Sequence, residues 1–172
     1  HKDAGAEAWK SSGNATKGMD KTPFVGYETL SGDSEILAVV VDGEKKQAAT
    51  EDDHITLVLS ETPFYAESGG QVGDVGVIKG NGFEFTVENT TKTHEGVVLH
   101  HGYISDGETV SCGDKVHAEV NRSVREATMR NHTAAHLLQA ALRKILGTHV
   151  EQAGQLVNSE AVRFDFTHFS AL

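Results

Sequence analysis

The sequence predicts an α+β fold: a small β-barrel, then an amphipathic helix and the first strands of a second, truncated α/β unit. Three observations carry this. Short apolar, β-branched runs separated by Gly turns fill residues 22–120. Near residue 123 the apolar period changes from that of a strand to that of a helix. Few strands follow, although an amphipathic helix must bury its stripe against a sheet or another helix.

The chain has 172 residues, which suits one domain or two small ones. Three segments are expected: a polar leader or linker at 1–21, the barrel at 22–120, and the N-terminal part of the second unit at 121–172. Apolar residues make up 38%. Counted with Gly, that is an ordinary share for a globular protein and argues against disorder. No stretch approaches the ~18 consecutive apolar residues of a membrane span, and no basic region followed by an apolar run opens the chain as in a secretory signal. The one cysteine, Cys112, forms no internal disulfide and points to a reducing compartment, the cytoplasm. The chain opens on His1 rather than Met, and it is expected to be a piece of something longer.

Taken in order, the leader offers only Trp9 and Met19 as anchors, and residues 10–14 read as a loop. The run 36–41 ends at Asp42-Gly43, a strong hairpin signal. Residues 55–59 have strand length. The segment 72–78 is interrupted by Gly73 and Gly76. Phe83, Phe85 and Val87 alternate with Glu84 and Thr86 after a turn at Asn81-Gly82. Residues 97–99 and 116–120 complete the set, which fits a small closed or nearly closed barrel. Ser123-x-x-Glu126 then reads as a capping box. Leu137, Leu138, Ala141, Leu142 and Ile145 share one helical face, and Gly147 stops the helix. Val162, Phe164 and Phe166 alternate as a last strand.

Net charge is −10, from 15 Lys+Arg against 25 Asp+Glu. From Arg122 onward six basic residues face four acidic ones, which is +2 and leaves −12 for the first 121. A polyanion would therefore meet the C-terminal part first. Arg122, Arg125 and Arg130 are candidate phosphate contacts, or a solvated face.

His132-Thr133-Ala134-Ala135-His136 is the sharpest motif. Residues four apart share a helical face, so two imidazoles there can bind one zinc ion. A metalloprotease helix carries Glu after its first His; here that residue is Thr133, and the protease reading fails. Two ligands are also too few, since zinc takes three or four. The other donors are His149, His168, Cys112, Asp165 and Glu151, none at clear ligand spacing. The alternative is a pair of ordinary histidines. Phe64-Tyr65-Ala66-Glu67-Ser68-Gly69-Gly70-Gln71-Val72-Gly73-Asp74 is the second motif. Its adjacent glycines allow close approach to a ligand or simply a tight turn, and polar Glu67, Ser68, Gln71 and Asp74 surround them. No Gly-Lys-Ser/Thr follows, so it is not a phosphate loop. In His149-Val150-Glu151-Gln152-Ala153-Gly154, Gln152 can orient a water or a carbonyl, or lie solvated. Cys112 has no neighbouring His and is not a convincing nucleophile.

Together these motifs resemble the alanyl-tRNA synthetase family, in its bacterial form. The glycine-rich segment 64–74 looks like that family's signature. Asn131-His132-Thr133-Ala134-Ala135-His136-Leu137-Leu138 looks like its editing-domain zinc motif. Gln152-Ala153-Gly154-Gln155-Leu156-Val157 and Arg163-Phe164-Asp165-Phe166-Thr167-His168-Phe169 resemble the segments that follow, and Ala8-Trp9-Lys10 the stretch before.

The resemblance implies a translation-factor-like barrel followed by the start of an editing core shared with threonyl-tRNA synthetase. It implies an ATP- and magnesium-dependent aminoacylation core elsewhere in the synthetase, and tRNA(Ala), mischarged with Ser or Gly, as the editing substrate. It makes His132 and His136 zinc ligands, Gln152 the residue positioning water or substrate, and Glu67, Ser68, Gly69, Gly70 and Gln71 the amino-acid pocket. The family completes its zinc site with a downstream Cys-x-x-x-His. This sequence has none: Cys112 is followed four residues on by Val116, and lies upstream. A zinc half-site, inactive in this chain alone, is therefore expected. The alternative is a noncatalytic tRNA-docking or spacer barrel.

Overall fold

The β-branched run at 36–41 lies in the longest strand, β1 (Ser31–Val41), which turns back as β2 (Glu44–Lys46). Asp42 and Gly43 make that turn with φ of 51° and 77°, the paired left-handed geometry that matches strand twist in a two-residue hairpin. The strands that follow are β3 (Ala48–Thr50), β4 (Ile55–Leu59), β5 (Gly76–Gly80), β6 (Phe83–Lys92), β7 (Val98–Gly107), β8 (Thr109–Ser111) and β9 (Lys115–Val120). The computed structural model describes residues 9–170. It divides into one unit of residues up to Glu67 with Gly73–Asn121, and a second of Ser68–Val72 with Arg122 onward.

In the first unit β1, β4, β7, β6, β5 and β9 pair in that order, all antiparallel, and β9 pairs back onto β1. The barrel is thus closed with six strands and leaves no free edge among them. β3 and β8 form a separate ribbon. Phe64, Ile36, Leu57, Ile78 and Phe85 lie at the fully buried centre of the barrel unit. Every residue of β4 is buried, because it is covered on both faces. Leu57 and Leu59 join the main core, whereas Val58 packs with Ala38, Val97 and Leu99 under Met19.

The leader is anchored as Trp9 and Met19 suggest. Trp9 stacks on His101 with ring centroids 5.2 Å apart. The loop expected at 10–14 is instead partly helical, α1 (Ser12–Ala15), where buried Ser12 bonds through its Oγ to Thr56 Oγ1 at 3.0 Å. Residues 1–8 of the expected leader lie outside the described residues. The segment 72–75 is not strand. Gly73 passes so close to β6 that a Cβ there would sit 2.1 Å from the Thr90 carbonyl oxygen.

The second unit holds α2 (Arg122–Leu146) and the antiparallel hairpin β10 (Gln152–Val157) and β11 (Val162–Phe166). α2 begins one residue before Ser123, so Ser123 lies inside the first turn rather than at the cap. It stops at Gly147, whose φ is 118° and whose N–H bonds to the Arg143 carbonyl at 3.1 Å. Asn158 Oδ1 accepts from the N–H groups of Glu160 and Ala161 to close the hairpin. Asn131 Nδ2 donates to the Asn158 carbonyl at 2.8 Å and ties helix to hairpin. The apolar stripe expected to pack on a sheet does not: Leu137 is 67% and Ile145 79% exposed. Two strands cover too little of the helix, and Ala135 is its one buried apolar residue. No helix among the described residues is long and apolar enough to cross a membrane.

Candidate functional site

Helical spacing alone sets His132 and His136 one turn apart. Their Nε2 atoms lie 2.9 Å apart, with ring centroids at 4.6 Å. Two ring nitrogens facing each other in this way require one to donate and the other to accept. Two imidazole nitrogens turned to the same space are what a zinc ion would take as two of its ligands. His132 Nδ1 is enclosed without a hydrogen-bond partner among the described residues. Thr133, in the position of the protease Glu, spends its hydroxyl on the Met129 carbonyl at 3.2 Å.

The other donors stay apart from this pair. His149 Nε2 meets His168 Nδ1 at 2.8 Å, with Phe169 against both rings. Asp165 is held by Arg163 at 2.7 Å, and that hydrogen bond lowers the carboxyl pKa and raises that of the guanidinium. Cys112 belongs to the first unit and donates its Sγ–H to the Leu37 carbonyl. Among the described residues no three His, Cys, Asp or Glu side chains gather around one point.

The glycine-rich motif divides. Ser68 and Gln71 exchange backbone hydrogen bonds at 3.2 and 3.0 Å around Gly69 and Gly70, whose φ values are 58° and 83°. This tight turn lies against β10: the Val157 N–H bonds to the Gly70 carbonyl, and the Val72 N–H to that of Val157. A Cβ on Gly70 would stand 2.7 Å from the Gln155 carbonyl oxygen. Gly70 is therefore fixed by close backbone approach as well as by φ. Gln152 opens β10, is exposed, and sits at a register irregularity that extends to Gly154. The second unit thus holds Ser68, Gly69, Gly70, Gln71, His132, His136 and Gln152. Glu67 belongs to the first unit, where its N–H bonds to the Thr90 carbonyl. Asp74 is buried and structural, its carboxylate accepting from the Tyr65 N–H at 2.7 Å. Of the three arginines, Arg122 pairs with Glu126 at 3.6 Å, Arg130 is exposed, and Arg125 is buried.

Sequence reasoning missed His100 and His101. Neighbours on β7, they point to opposite faces. His100 bonds to Thr62 Oγ1 at 2.7 Å and to the Leu57 carbonyl at 2.9 Å. His101 bonds to Thr56 and Thr91 at 2.8 and 2.7 Å. Burial pushes both imidazoles down to about 4; the Leu57 carbonyl partly opposes this for His100, and the neighbouring His100 adds to it for His101. Their only sequence signal is position, directly after the apolar run 97–99.

The family model for tRNA synthetases of class II (A) matches residues 2–124. The alanine–tRNA ligase of Paracidovorax citrulli is 48% identical over 151 residues, which cover 88% of this chain and 16% of that ligase. That of Desulfosudis oleivorans is 49% identical over 158 residues, covering 92% and 18%. That of Fervidobacterium nodosum is 48% identical over 153 residues, covering 88% and 17%. The chain spans about a sixth of the length of these relatives. With a closed barrel, a glycine-rich turn on a hairpin and a facing histidine pair, the chain belongs to the class II (A) tRNA synthetases and, within them, to the alanyl-tRNA synthetases.

Proposed function

We propose that the whole protein joins alanine to tRNA(Ala) with ATP and magnesium, and that this region belongs to an editing part that hydrolyses tRNA(Ala) mischarged with Ser or Gly. The observation that carries this reading is the His132–His136 pair, two nitrogens at 2.9 Å in the same unit as the Ser68–Gln71 turn and Gln152. His132 and His136 would hold a zinc ion through the two Nε2 atoms that already face each other. When bound, zinc supplies a Lewis acid that polarises water or the substrate.

The chain's own residues do the rest. The substrate is an ester between an amino acid and a ribose hydroxyl. Gln152 orients the water or the ester carbonyl through its amide. Gly69 and Gly70, lacking side chains, let the amino acid approach the backbone beside Gln71, and Ser68 supplies a hydrogen bond to the serine hydroxyl. A hydrogen bond discriminates serine from alanine far better than the volume of one oxygen does. With two ligands, this chain alone is inactive. Seryl-tRNA(Ala) hydrolysis by the full-length protein is expected to fall at least ~100-fold on His132→Ala, with none by this chain. Steady hydrolysis by this chain, abolished by His132→Ala, would overturn that.

A second reading, a noncatalytic tRNA-docking or spacer barrel, is favoured by the closure of the six-stranded barrel, all of whose strands belong to the first unit.

A further inference from the structure

The first unit carries a net-negative sequence, yet its lysines are unevenly used. Lys46, Lys79 and Lys115 pair with surface carboxylates. Lys10, Lys17 and Lys92, like Lys21 and Lys45, form no ion pair among the described residues, and the first three line one cleft of about 650 Å³. All three are exposed. The floor of this cleft is Trp9, stacked on His101, beside buried Leu99. Two carboxylates, Glu67 and Glu95, also line it. All these residues belong to the first unit.

We propose that this cleft binds the ribose–phosphate backbone of RNA. Three free ammonium groups gathered on an acidic unit select for an anion. The two carboxylates argue against a compact one, because they would repel inorganic phosphate. An RNA chain alternates anionic phosphates with 2′-hydroxyls, which donate to carboxylates. It therefore satisfies both kinds of lining group, and DNA satisfies only one. The apolar floor fits the face of a ribose or base. This deepens the reading that tRNA is the partner and rests on it, but it needs neither the zinc ligands nor hydrolysis.

Trp9 is the one tryptophan of the chain and lines this cleft as well as an acidic one beside Glu51, Asp52 and Asp53, so its emission is read together with the lysine variants. The experiment titrates the full 172-residue chain with an RNA hairpin of acceptor-stem length, the same sequence as DNA, ATP, and inorganic phosphate. Three outcomes are expected together. RNA shifts Trp9 emission and binds tighter than DNA. Lys17→Glu/Lys92→Glu weakens RNA binding at least ~10-fold and lowers the salt slope by about two. Lys46→Glu, a lysine already paired with Glu44, changes it less than about twofold. Three others overturn the proposal. RNA binding that leaves Trp9 unmoved and falls on Arg122→Ala/Arg130→Ala would place the contact on α2. Equal binding of DNA, or saturation by phosphate or ATP at lower concentration than RNA, would make the site a general anion site. Absence of RNA binding would remove the site altogether. Zinc content stands apart from all of these, so a failure of the editing reading is distinguishable.

Discussion

His100 and His101 occupy a barrel strand that the sequence reads as merely apolar, and they give the chain a specific pH response. Their folded pKa values lie near 4, below the ordinary 6.5. Well above pH 6.5 both are neutral whether folded or not, and their contribution to stability is complete. Between 6.5 and 4 the unfolded chain takes up protons that the folded chain refuses, so stability falls as pH falls. The loss is on the order of 3 kcal/mol for each group. Urea midpoints measured from pH 7 to pH 4 are expected to drop, with uptake of about two protons on unfolding from this pair. His101→Gln, which keeps a donor and an acceptor but does not titrate, should reduce that to about one. A second residue-scale outcome concerns the turn. Gly70→Ala meets the Gln155 carbonyl at 2.7 Å in a left-handed φ, whereas Gly69→Ala meets open space. Gly70→Ala should cost about 2–3 kcal/mol and Gly69→Ala about 1, read as urea midpoints followed by the helix signal. The histidine pair at 132 and 136 was legible because helical spacing fixes which side chains face each other. His100 and His101 were not, because burial depends on what strands and leader bring to them from far along the chain. Asp74 shows the same limit: a polar residue beside glycines reads as pocket lining, and it is in fact a clamp on the Tyr65 backbone.

Among the elements, strand positions were legible wherever alternation or a β-branched run was clean, as in β1, β4, β6 and β9. The helix was legible from its stripe. What the sequence could not convey is which faces find partners. The stripe at Leu137, Leu138 and Ile145 is exposed, because α2 has only a two-stranded hairpin beside it. Leu137→Gln/Ile145→Lys should therefore change the stability of this chain by less than about 0.5 kcal/mol, whereas Ala135→Asp, at a buried position, should cost about 3 or more. Chemical denaturation checks both. The loop read at 10–14 failed for a related reason. Ser, Gly and Asn favour turns locally, and only Thr56 on β4, supplying a buried partner for Ser12, reveals why a helical turn forms.

At the scale of the molecule, closure of the barrel was legible as a family of short strands, but the pairing of β9 with β1 was not, since register follows from the whole ring. The two units are unequal. Among the described residues every buried apolar side chain except Ala135, Val150 and Val157 lies in the barrel unit. Because apolar burial dominates stability, helix ellipticity at 222 nm should be lost at lower urea than Trp9 emission, giving transitions that do not coincide. A single coincident transition would contradict this. The same inequality bears on function, since the proposed metal ligands sit in the less buried unit and number only two. The most direct measurement is zinc per chain, by elemental analysis after dialysis at neutral pH. It compares this chain with one extended through a downstream Cys-x-x-x-His, each with and without His132→Ala. The account predicts about one zinc in the extended chain, lost on His132→Ala, and none held by this chain. One zinc held tightly by the 172 residues alone would contradict it, and would turn attention to His149 and His168, whose nitrogens already face each other at 2.8 Å.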